Sequence, residues 1–120
     1  MTRFAYVNGR YETHSGATVS IEDRGYQFAD GVYEVVALWN GCAVDLIGHM
    51  DRLERSMAEV QFPNPPGRRA LGVVAHEVVR LNRVRTGILY IQINRGTAPR
   101  NHPFPGEDVR CSIVMTVRHG

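Results

Sequence analysis

A change of hydrophobic period, framed by two Asn-Gly pairs, constrains this chain more than any other feature. Asn8-Gly9 separates two short strand-like segments, Phe4 to Val7 and Arg10 to Thr13. Asn-Gly is a strong hairpin signal because the two-residue turn that matches strand twist needs positive φ at both positions. Asn40-Gly41 repeats the device and turns Val32–Trp39 back into Cys42–Asp45. From Leu46 the period lengthens. Leu46, Met50, Leu53, Met57 and Val60 recur at steps of four and three, which is one stripe of a helix. Asp45 stands where an N-cap would, and Pro63, Pro65 and Pro66 end the pattern. A second helix is predicted from about Arg68 to Arg83, with Leu71, Val74, Val78 and Leu81 on one face. Arg80 and Arg83 then lie near the negative end of its dipole.

Period two returns after Gly87. In Ile88–Asn94, Leu89, Ile91 and Ile93 face one way and Tyr90, Gln92 and Asn94 the other. Cys111–Val117 alternates again, and Val19–Ile21 reads as a short extra strand. Strands, two helices and strands again, with no βαβ rhythm, predict an α+β domain: an antiparallel β-sheet with two α-helices packed on one face. Val32–Trp39 carries Val32, Val36 and Leu38 on one face and Tyr33, Val35 and Trp39 on the other. That pattern predicts a strand covered on both sides.

At 120 residues, 43% hydrophobic and 22% charged, the chain suits one soluble globular domain. A net charge of +2 implies no long-range field. The basic residues are scattered, and Arg80, Arg83 and Arg85 read as a helix terminus, which argues against a nucleic-acid surface. No apolar run approaches the roughly 18 residues of a membrane helix. MTRFAYVNGR has no signal-peptide core. Cys42 and Cys111 form no CxxC pair and read as free thiols of a reducing cytoplasm. Zinc-ligand spacing and a Gly-rich phosphate loop are both missing.

One loop has unusual chemistry. Gly96–Asp108 carries three prolines, and Pro99-Arg100-Asn101-His102-Pro103 presents an arginine and a histidine on restrained backbone. They are either solvated loop residues or, acting together, a carboxylate trap. Tyr33 reads as a core aromatic from its strand alone. Glu34, on the opposite face, needs a partner if buried. Arg52, in HMDRL, lies beside the apolar stripe of the first helix with His49 and Ser56. By pattern it is a helix-surface arginine paired with an acid, and His49 reads as structural. Asp23, Arg24 and the Asp30-Gly31 turn read as architectural.

Three blocks, EDRGYQFADGVYEVV (Glu22–Val36), HMDRL and RGTAPRNHPFP (Arg95–Pro105), together resemble the small N-terminal domain of fold-type IV pyridoxal-phosphate enzymes, most closely the D-amino-acid transaminases. The resemblance spans essentially the whole chain. It implies that pyridoxal 5′-phosphate is the cofactor and that D-amino acids and 2-oxo acids are the substrates. It also implies that Arg100, His102 and Tyr33 bind the substrate carboxylate and that Arg52 binds the cofactor phosphate. A homodimer is implied, whose Arg100–His102 loop reaches into the partner's active site. The chemistry needs a lysine amine for the cofactor aldehyde. All fourteen basic side chains here are arginine, so the only amine of this chain is its N-terminus. Residues 1–120 are therefore expected to form the small domain, with the lysine on a large cofactor-binding domain outside it. Other enzymes of the same class (branched-chain aminotransferase, aminodeoxychorismate lyase, R-selective amine transaminase) and a non-catalytic isolated domain are the alternatives.

Overall fold

The computed structural model describes residues 3–120, so the N-terminal amine lies outside them. β1 (Phe4–Val7) and β2 (Arg10–Thr13) form the first hairpin, with Val7 opposite Arg10. β3 (Gly31–Trp39) and β4 (Cys42–Ala43) form the second, with Trp39 opposite Cys42. Both Asn-Gly turns have positive φ at each residue, as their sequence requires. With β5 (Gly87–Asn94) and β6 (Ser112–His119) they make a six-stranded sheet in the order β2-β1-β6-β5-β3-β4, every pair antiparallel.

Three α-helices accompany the sheet: α1 (Arg24–Phe28), α2 (Leu46–Glu59) and α3 (Arg68–Asn82). The predicted helices are α2 and α3. Asp45 caps α2 by accepting from the Gly48 amide. Met50, Leu53 and Met57 of α2 and Leu71, Ala75 and Val78 of α3 are buried against Val36, Leu38, Leu89, Ile91, Ile93, Met115 and Val117 of the sheet. Each large apolar side chain removed from water here contributes about 1.5–3 kcal/mol before entropy is counted. None of the helices is long and apolar enough to cross a membrane.

Three expectations change, and one burial is additional to them. Val19–Ile21 is no strand; it is an exposed approach to α1, a helix too short to show a period. The buried row of α3 ends on Asn82, not Leu81. The Asn82 side chain accepts from the Phe4 amide at 2.9 Å and donates to the Phe4 carbonyl at 3.0 Å, so a polar residue ties α3 to β1. Asn94 is buried although it faces away from the helices, because α1 covers it. Finally, β3 is covered on one side only. Glu34, Val36 and Leu38 are buried, whereas Tyr33, Val35 and Trp39 are exposed. An apolar alternation records what a face is made of and does not say what covers it.

Gly87 shows how closely the sheet is built. A Cβ there would stand 2.1 Å from the Arg118 carbonyl oxygen, which belongs to the backbone of the neighbouring strand. Gly87→Ala is expected to cost about 1–3 kcal/mol, as overpacking does. Urea unfolding of the two proteins checks this, and an unchanged midpoint would show that β6 yields at that point.

Candidate active site

Glu34 is 3% exposed and sits one residue beyond Tyr33, so the pleat sends the two side chains to opposite faces. A buried carboxylate has to be compensated. Arg52 does so from α2 with a two-pronged contact, Nε to Oε2 at 2.8 Å and Nη2 to Oε1 at 2.8 Å. Nδ1 of His49, one turn earlier, lies 2.6 Å from Oε1. Arg52 holds the Glu34 carboxyl below the usual carboxylate range; burial opposes this, and His49 assists. In return Glu34 raises the arginine further, so the guanidinium is a permanent cation. Its side chain is 60% exposed, and among the described residues Nη1 keeps no protein partner. The result is a cation locked in orientation with one edge open to an anion.

Tyr33 is 63% exposed and stacks on Tyr90, ring centroids 5.8 Å apart at 25°. It is not the core aromatic that its strand position suggests. Its ring belongs to the open face of the sheet, where a polar chain begins beside it. Tyr90 donates to Gln92 at 2.6 Å, Gln92 to Asn94 at 2.9 Å, and Asn94 to the buried Asp23 at 3.1 Å. Ser112 donates to the other Asp23 oxygen at 2.6 Å. Gly25 and Gly31 are required around Asn94, since a Cβ at either would fall about 2 Å from its amide group.

Arg100 and His102 are brought together on one aromatic ring. The Arg100 guanidinium is 5.4 Å from the centroid of Phe28, and the His102 ring is 5.3 Å from it. Both side chains are exposed. A cation over a ring face is stabilised without losing its hydrogen-bond donors at the edge. Arg52, on Glu34, and Tyr33, on Tyr90, lie apart from that ring on either side of β3, with Arg52 within electrostatic reach of the phenol. No hydrogen bond or ring contact joins these two clusters among the described residues.

Arg24, Asp30 and Arg95 have a larger part than the sequence suggests. The two arginines are each 4% exposed, and both donate Nε to Asp30 Oδ2 at 2.8 Å. Arg24 also reaches the loop carbonyls of Asn101, Pro103 and His102, at 2.7, 3.4 and 3.5 Å. Arg95 donates to the carbonyls of Val60 and Gln61 at the end of α2. Each arginine is followed by glycine and lies in a motif block with nearby phenylalanines, which is the only signal the sequence offers for the trio. A concavity of about 820 Å³, lined by Tyr6, Asn64, Asp108 and Ile113 among others, includes none of Tyr33, Arg52, Arg100 or His102. Its charged lining residues are Asp108 and Arg110, and it lies apart from this site.

Known proteins resemble this chain in sequence and in fold. The family model for amino-transferase class IV matches residues 31–118. D-alanine aminotransferase of Listeria innocua is 43% identical over 111 residues, 92% of this chain and 38% of that protein. The Staphylococcus haemolyticus D-alanine aminotransferase is 38% identical over 109 residues, 91% of this chain and 39% of its own length. The chain thus spans about two-fifths of the relatives it matches. Branched-chain amino acid aminotransferase from Escherichia coli superposes with a TM-score of 0.89 at 16% identity, covering 100% of this chain and 42% of that one. For 4-amino-4-deoxychorismate lyase from Pseudomonas aeruginosa the TM-score is 0.77 at 24% identity, with 96% and 39% covered. At those identities the two structures speak for the fold alone, whereas the family model covers most of the chain: it belongs to the class IV amino-transferases.

Proposed function

We propose that this chain is the small domain of a pyridoxal-phosphate-dependent D-amino-acid aminotransferase, and that it binds substrate carboxylate and part of the cofactor phosphate. The observation that carries this reading is the pair Arg100 and His102, held side by side on Phe28 in the loop that the sequence marks out. Similarity at 38–43% identity to D-alanine aminotransferases supports the D-amino-acid branch.

The residues present fit the cofactor in one respect. Arg52 offers an open, oriented guanidinium edge of the kind that suits a phosphate oxygen. When bound, pyridoxal 5′-phosphate supplies the electron sink that stabilises charge at the amino acid's α-carbon. The lysine for its aldehyde is absent from this sequence and comes from a large domain beyond these residues. Arg52 fixes the phosphate end. Arg100 donates in fork geometry to the substrate carboxylate, His102 adds a second donor, and the Tyr33 phenol contributes a third from the sheet face. Fixing the carboxylate decides which face of the α-carbon meets the base, so these residues select the D configuration by orientation. The enzyme acts as a cytoplasmic homodimer in which each Arg100–His102 loop serves the partner's site, with D-amino acids and 2-oxo acids as substrates.

In the complete enzyme, Arg100→Ala is expected to raise KM for D-alanine about tenfold or more, the worth of one charge-assisted contact. The cofactor dissociation constant should stay unchanged. Equal losses in both would remove Arg100 from the carboxylate site. Turnover of D-alanine with 2-oxoglutarate should exceed that of 1-phenylethylamine with pyruvate. The reverse would favour an amine transaminase, which has no substrate carboxylate to bind.

Glu34 gives a pH test. Its folded-state carboxyl binds a proton less readily than the unfolded one, so its stabilisation is present above the ordinary carboxylate value of about 4.3. That stabilisation is lost as pH falls through the lower, folded value. Urea midpoints taken from about pH 6 to about pH 3 should fall more steeply for the native protein than for Glu34→Gln. Parallel curves would mean that other carboxylates carry the acid response.

A further inference from the structure

We propose that Arg24, steadied by Asp30, is the positioning residue of the carboxylate-binding loop; this rests on the reading of Arg100 and His102 given above. Arg100–Phe104 has no regular structure, and its side chains are exposed. Such a segment loses binding energy each time it must be ordered around a ligand. Among the described residues, the carbonyls of Asn101, His102 and Pro103 accept from nothing but the Arg24 guanidinium. The Asn101 contact, at 2.7 Å, is a short charge-assisted bond, and the other two, at 3.4 and 3.5 Å, are weaker.

The same guanidinium sits 4.6 Å from the centroid of Phe28, the ring that carries Arg100 and His102 on its other contacts. Arg24 thus holds both the loop backbone and the platform beneath its side chains. Phe104, at the far side of the loop, is fixed likewise: its centroid is 3.6 Å from the Arg95 guanidinium and 6.0 Å from that of Arg24. Two buried arginines against the single carboxylate of Asp30 leave one positive charge beneath the loop. The backbone adds to the link: the Arg24 amide donates to Gly96, and the Asp30 amide donates to Arg24.

Lysine cannot replace this residue, because one ammonium cannot span a carboxylate and several diverging carbonyls in a plane. In the complete enzyme, Arg24→Lys is expected to raise KM for D-alanine about tenfold, with a smaller effect on kcat and none on cofactor affinity. Amide hydrogen exchange should quicken within residues 97–108 while β5 and β6 keep their protection. Phe104 is exposed, so Phe104→Leu keeps the fold; it should shift KM in the same direction, about threefold. Should Arg24→Lys fail to fold, Phe104→Leu decides alone. Unchanged KM in these variants, with a raised KM in Arg100→Ala, would overturn the role of Arg24 and leave the carboxylate site standing. Unchanged KM in Arg100→Ala as well would overturn both.

Discussion

The Arg100–His102 half of the candidate site hangs on one carboxylate oxygen, Asp30 Oδ2, which accepts from two buried arginines. Burying charge is expensive, and a triad with one carboxylate for two guanidiniums carries an excess positive charge. The surroundings absorb that excess. Arg95 donates to the last carbonyls of α2, the negative end of that helix, and lies over Phe62 and Phe104. Arg24 takes loop carbonyls and the face of Phe28. The trio is therefore a junction of α1, the approach to β3, the exit of β5, the end of α2 and the Arg100–Pro103 loop. Removing Asp30 would leave both arginines buried without a counter-charge, a loss of about 3–5 kcal/mol in comparable cases.

A second constraint is the pleat of β3. Adjacent residues serve opposite faces: Glu34 turns inward to lock Arg52, and Tyr33 turns outward onto Tyr90. A slip of one residue would bury the phenol and expose the carboxylate, undoing both clusters at once. Pairing with β5 along the whole of Gly31–Leu38, and the crowding of Asn94 by Gly25 and Gly31, hold that register. The placement of Arg52 and Tyr33 thus depends on sheet register, and that of Arg100 and His102 on the buried ion triad.

Much of this was legible in order of range. Both Asn-Gly hairpins, the capped α2 and the period of α3 rest on neighbouring residues, so they can be read from spacing. The five residues of α1 are too few to show a period, and its amide cap at Asp23 is a local detail. Asn82 replaced an expected leucine because its amide meets Phe4, 78 positions away. The open face of β3 looked like a second core face because Tyr33, Val35 and Trp39 are apolar; their exposure depends on what packs there. Besides Tyr33, the family resemblance singled out Arg52, Arg100 and His102 as candidate site residues. Their holders, Glu34 for the first and Arg24 with Phe28 for the others, came from geometry.

By itself the sequence determined the types of the longer elements, the antiparallel α+β class, the family blocks and the lack of any lysine. These follow from periodicity, turn chemistry and composition, which act over a few residues or over the whole chain at once. Only the tertiary structure decided which arginines are buried in ion pairs and which stay exposed. Arg24 and Arg95 are consumed by Asp30, while Arg52 and Arg100 keep donors without a partner among the described residues. The physical reason is that an arginine's role depends on burial and on the carboxylate it meets, and those partners lie 6 to 65 residues apart in the chain.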